Sequence, residues 1–92
     1  MQIKICDLTG VKSKSEFYDR IYYELDVADY AANNLDALHD ILTTDIEGPI
    51  EIVWSDLDGS ASEMTWDEVN NILSVFRSVE SDREDFILRI SD

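Results

Sequence analysis

The 92-residue chain has little of what several common kinds of site require. Its one cysteine, Cys6, excludes an intrachain disulfide framework, and no Cys/His cluster could hold structural zinc. No apolar run approaches the roughly 18–20 residues of a membrane span. The opening stretch, Met1–Gly10, has a short apolar run broken by Asp7, which does not read as a signal peptide. There is no Gly-rich phosphate loop and no nucleophile motif, so neither a cofactor nor catalysis is expected. With 45% hydrophobic residues and no repeat, linker or low-complexity tract, the expectation is one soluble cytoplasmic domain over residues 1–92.

Basic residues are scarce, and their placement is uneven. Twenty-one acids against seven bases give a net charge of −14. Between Ile21 and Phe76 there is no Lys or Arg, while thirteen Asp and Glu residues fall in that stretch. Phosphate backbones and anionic lipids reward Lys and Arg contacts, which disfavours direct nucleic-acid or membrane binding. A field of this sign draws in a basic protein and speeds encounter, although an acidic surface also serves solubility alone.

The patterning predicts an α/β chain in the order β-α-α-β-α-β. Gln2–Cys6 alternates as a strand, with Ile3 and Ile5 on one face. Ser13 and Glu16 fit a capping box for a helix whose core stripe is Phe17, Ile21 and Leu25, flanked by Tyr18, with Tyr23 pointing away. Asn33-Asn34 can cap a second helix, Leu35 to Thr43, before Gly48-Pro49 and the β-branched strand Ile50–Trp54. Leu57–Ser62 reads as a loop. Thr65 to Glu68 is a further capping box, opening a helix to about Val79 with the stripe Val69, Ile72, Leu73, Phe76 and Val79. Ser81–Asp85 then turns into the strand Phe86–Ile90. Cys6 is expected to be a small core side chain, and Trp54 and Trp66 to pack partly into the core. Strands separated by helices favour a three-stranded parallel sheet packed with three to four helices.

On the second helix Leu35, Leu38, Ile41 and Leu42 share one face, while Asp36, His39, Asp40 and Thr43 share the other. Carboxylates four residues apart repel by a few tenths of a kcal/mol. With Tyr30 and Asn34 before them and Asp45 and Glu47 after, the patch is polar and negative, suited to a cation. An ordinary solvated face is the plain alternative. Metal binding by Asp36, His39 and Asp40 is disfavoured because one imidazole among carboxylates is common on helices. Asp56-Leu57-Asp58-Gly59-Ser60 fails as a calcium loop: the sharp-turn glycine position is Ala61, and the twelfth residue is Asp67 rather than Glu.

Asp29 to Thr43, with the core Asn34-Leu35-Asp36-Ala37-Leu38-His39-Asp40, resembles the signature helix of the barstar family of intracellular ribonuclease inhibitors. The likeness continues through Ile46–Pro49 into Ile50–Trp54 and resumes at Ile72–Arg77. It implies a barstar-like three-stranded parallel sheet with helices packed on it. It also implies that a monomeric chain plugs the cleft of a small basic ribonuclease, one to one, as an immunity protein does for a nuclease toxin. Asp40 would stand where an RNA phosphate sits, supported by Asp36. The implied partner-binding set is Tyr30, Asn34, Leu35, Asp36, Ala37, His39, Asp40, Thr43, Thr44, Asp45, Glu47 and Asp82. Against the family pattern, Ala31 and Ala32 replace a tyrosine and a glycine, and His39 replaces a tryptophan. Thr44-Asp45 replace Gly-Trp, and Ser78 replaces an acid. The acidic centre is kept and the aromatic rim is not, which implies a changed partner. The alternative is an acidic mimic of nucleic acid that occupies a non-nuclease basic protein through spread charge.

Overall fold

A computed structural model describes residues 3–27 and 32–91. Three parallel strands, β1 (Lys4–Asp7), β2 (Ile50–Trp54) and β3 (Phe86–Ile90), form a sheet in that order with β2 central. The register aligns Cys6, Ile52 and Leu88, with Ile50 beside Phe86 and Trp54 beside Ile90. Because strand side chains alternate, these residues share the face that carries the core. Ile5, Glu51 and Ile87 align on the opposite face. The first strand therefore buries its Cys6 side, and Ile5 is 53% exposed.

The helices form where caps and apolar stripes coincide. In α1 (Lys14–Glu24), Ser13 Oγ accepts the Glu16 N–H at 3.1 Å. The Glu16 carboxylate does not complete the capping box but lies 3.9 Å from Arg20. Phe17, Tyr18, Ile21 and the following Leu25 are buried, while Tyr23 is exposed as expected. Phe17 stacks on Trp54 at 5.9 Å and meets Tyr18 edge-on at 5.0 Å, placing the aromatic centre of the core over β2.

Beyond β2, the stretch expected to be a loop is a helix, α3 (Leu57–Met64). Its Gly and Ser residues are weak helix formers. Packing overrides them: Leu57, Ala61 and Met64 are buried, and buried Ser60 accepts the Trp54 indole N–H at 3.1 Å. Thr65 joins α3 to α4 (Trp66–Asp82) and accepts the Glu68 N–H. The whole predicted stripe of α4 is buried, and the helix runs three residues past Val79. Trp54 is fully buried, whereas Trp66 is half-exposed.

The second helix is shorter than its apolar spacing suggests. α2 (Leu35–Asp40) gives way to a single π-turn, Ile41–Asp45, so Ile41 to Thr43 wind more widely than an α-helix. α2 packs on α4, and the π-turn ends just before the segment that leads into β2.

Candidate functional site

The acidic face of α2 is set by what the helix buries. Asn34 Oδ1 accepts the Ala37 N–H at 2.8 Å, capping the helix as its sequence suggests. Leu38, Ile41 and Leu42 are buried, and Leu35 packs half-buried against the same core. Rotation about the axis then leaves Asp36 and Asp40 exposed, with Ala37 and His39 half-buried between them. Among the described residues no Lys or Arg forms an ion pair with either carboxylate. The charges on this face are unneutralised by the chain itself.

The π-turn closes this face at its C-terminal end. The Ile46 N–H donates to the Ile41 carbonyl at 3.2 Å, the long span of a π-turn. Two carbonyls at the turn also accept side-chain hydroxyls: Thr43 Oγ1 donates to His39 O at 2.8 Å, and Thr44 Oγ1 donates to Asp40 O at 2.6 Å. Both hydroxyl protons are thus committed to the backbone, which leaves these threonines only acceptor lone pairs to offer. Exposed Asp45, the last residue of the turn, and exposed Glu47 just after it extend the negative surface.

His39 is turned toward α4. Its Nε2 lies 3.0 Å from Ser78 Oγ and 3.7 Å from Asp82 Oδ2. This brings Asp82 to the edge of the site and ties α2 to α4 through a polar link. His39 is therefore directed away from the Asp36/Asp40 face. Among the described residues no group of three or more His, Cys, Asp or Glu side chains converges to hold a metal ion.

Arg83, absent from the expected set, holds the C-terminal end of this element. Its Nη1 donates to Leu42 O at 2.6 Å and to Ile46 O at 2.8 Å. Nε and Nη2 donate to the two carboxylate oxygens of Asp85, at 2.7 and 3.0 Å. These hydrogen bonds hold the Asp85 carboxyl below its ordinary value. One guanidinium fork, with its side chain 14% exposed, thereby fixes the π-turn against the start of β3. Gly48 fits beside it because a Cβ there would run into Asp85 and Arg83. The local signal was an Arg-x-Asp next to the last strand; its partners, about forty residues earlier, carry no local mark.

Of the expected residues, Asn34 caps α2, Leu35, Asp36, Ala37, His39, Asp40, Thr43, Thr44 and Asp45 lie along α2 and its π-turn, and Glu47 follows. Asp82 joins from α4, and Tyr30 lies outside the described residues. Cys6 is buried, and burial pushes its thiol up to about 12, so it is a core side chain and not a nucleophile. No helix among the described residues is long and apolar enough to cross a membrane. A family model described as Barstar (barnase inhibitor) matches residues 1–91.

Proposed function

The chain belongs to the barstar family of barnase inhibitors, and from that premise we propose that it blocks the active site of a small basic ribonuclease with the acidic face of α2. In this reading the chain is a single cytoplasmic domain, monomeric when free, that binds its nuclease one to one and protects the cell as an immunity protein. It performs no chemistry itself.

The observation that carries the reading is the pair Asp36 and Asp40, exposed on one helix face with no ion-pairing base among the described residues. A ribonuclease cleft binds phosphate with fixed cationic donors, and a carboxylate is a fair match for one phosphate oxygen pair. Asp40, midway along the α2–π segment, is the phosphate mimic, and Asp36 adds attraction beside it. A desolvated carboxylate is costly unless several charged donors meet it, and a phosphate-binding cleft supplies them. Thr43 and Thr44 accept hydrogen bonds at the rim, while Tyr30, Asn34, Leu35 and Ala37 add contact surface. His39 with Asp82, and Asp45 with Glu47, form the edges where the family has aromatic residues, and they select a nuclease other than barnase.

The test is a titration against barnase-type ribonucleases and any nuclease encoded beside this chain, read as residual RNA cleavage. Inhibition should saturate at one equivalent. Asp40→Ala should weaken it by more than about 2 kcal/mol, roughly thirtyfold, as truncation of an interface anchor does. The barnase–barstar pair is itself among the complexes from which that range comes. Losses that are small and alike for every acidic residue would favour the nucleic-acid mimic instead.

A further inference from the structure

Beside the acidic face, the N-terminal halves of α1, α2 and α4 enclose an open cleft of about 320 Å3. That is the small end of ligand-binding pockets, suited to one side chain more than to a nucleotide. Its wall includes Tyr18, which is only 3% exposed. The neighbouring Tyr22 hydroxyl donates to Ala32 O at 2.7 Å, but no described residue hydrogen-bonds the Tyr18 hydroxyl. Tyr18 lines the cleft, and its hydroxyl, open to solvent and without a hydrogen-bond partner among the described residues, can exchange water for a group that enters.

The lining specifies what that is. Two acids, Glu68 and Asp36, and the amide residue Asn71 are among the lining residues. Ile72 and Leu35 supply apolar surface for a methylene stem. The only base in the lining, Lys14, reaches in from α1 with its ammonium 3.8 Å from Glu68. Lys14 is largely exposed, so this ion pair is weak and easily displaced. The chain's own cation thus marks the polarity of the occupant without filling the cleft. A planar guanidinium suits it better than an ammonium, because its five donors in a fork can reach several acceptors at once.

We propose that this cleft receives an arginine side chain of the partner, a second anchor beside the one formed by Asp40. The proposal rests on the reading that a basic protein docks on α2, since Asp36 borders both the cleft and the acidic face. The arginine aligns its stem along Leu35 and Ile72 and its guanidinium between Glu68 and the Tyr18 hydroxyl, displacing Lys14 from the rim.

The experiment titrates N-acetylarginine amide into the full chain, labelled with nitrogen-15, and follows the side-chain amide signals of Asn34 and Asn71 by NMR. Saturable shifts confined to the cleft are expected, with no saturation by N-acetylcitrulline amide, which lacks the charge. Tyr18→Phe and Glu68→Gln, both conservative in shape, should each weaken binding about fivefold. Lys14→Gln should strengthen it about twofold by removing the competing cation. Shifts spread evenly over the exposed acids, or unchanged affinity in both Tyr18→Phe and Glu68→Gln, would overturn the proposal. Ribonuclease inhibition by the parent chain is measured separately. Arginine binding in a chain that inhibits no ribonuclease would contradict the nuclease reading and support the cleft.

Discussion

On the outer face of the sheet, Arg89 lies 3.2 Å from Glu51, and exposed Ile5 and Ile87 flank the pair. On the outer face of α2, Asp36 and Asp40 stand four residues apart without an ion-pairing base. Both surfaces meet solvent, but only the first neutralises its own charge. An exposed ion pair contributes at most about 1 kcal/mol, and uncompensated like charges on one helix cost a few tenths. The outer sheet is therefore close to indifferent for stability, while the α2 face is slightly unfavourable for it. What makes the α2 face tolerable is its anchoring from outside the helix: the His39 link to α4, the Arg83 fork on the π-turn and the apolar side buried against α4. The molecule holds rigidly an element whose charges it does not satisfy, which is the arrangement an electrostatic docking surface needs.

The largest effect should come from removing the anchor. Arg83→Ala leaves two carbonyls and the Asp85 carboxylate without their charged donor, a loss of about 2–3 kcal/mol. For a domain of this size that lowers the melting temperature by roughly 10–20 °C in a thermal scan. Arg83→Lys should recover only part of it, since a single ammonium does not reproduce the fork. Next comes Asp36→Asn, which should weaken ribonuclease inhibition by about 1–2 kcal/mol, a rim electrostatic effect that shrinks as salt is raised. The same change should leave the melting temperature nearly level, because relief of the repulsion from Asp40 is offset by loss of a carboxylate from the first turn of α2.

A smaller effect concerns pH. The Arg83 hydrogen bonds lower the folded pKa of Asp85, and the Thr9 N–H and hydroxyl do the same for Asp7. A folded value below the unfolded one stabilises the protein fully above the ordinary carboxylate range, and that contribution disappears as pH falls through the folded value. Urea midpoints should therefore drop as the pH is lowered below about 4. In Asp85→Asn that fall should be shallower. Smallest of all, Glu51→Gln on the outer sheet should change stability by less than about 1 kcal/mol and leave inhibition unchanged. A loss of inhibition in Glu51→Gln would place the docking surface on the sheet and break the comparison.

Much of this arrangement was legible in the residues. The stripes Phe17/Ile21/Leu25 and Val69 to Val79 have helical spacing and are buried, and Ser13, Asn34 and Thr65 cap the helices that follow them. α3 was not legible, because its Gly and Ser residues argue for a loop, and only the surrounding core and Trp54 make it a helix. The π-turn was hidden for a related reason: Leu38, Ile41 and Leu42 keep helical spacing whether the next turn is α or π. The paired threonines, whose hydroxyls bond the His39 and Asp40 carbonyls, were the one local trace. In the candidate site, the acidic face could be read from periodicity, since it needs only residues on one helix. Arg83, the turn of His39 toward Ser78 and the cleft at Tyr18 join segments far apart in the chain, and no local pattern announces them.

The most direct measurement pairs two readouts on one variant, Asp40→Asn: the inhibition constant against the nuclease found by titration, and the melting temperature. Inhibition is expected to weaken by more than about thirtyfold while the melting temperature stays within a few degrees of the parent or rises. Undiminished inhibition, with the fold intact, would contradict the claim that α2 presents its unpaired carboxylate to a phosphate-binding cleft.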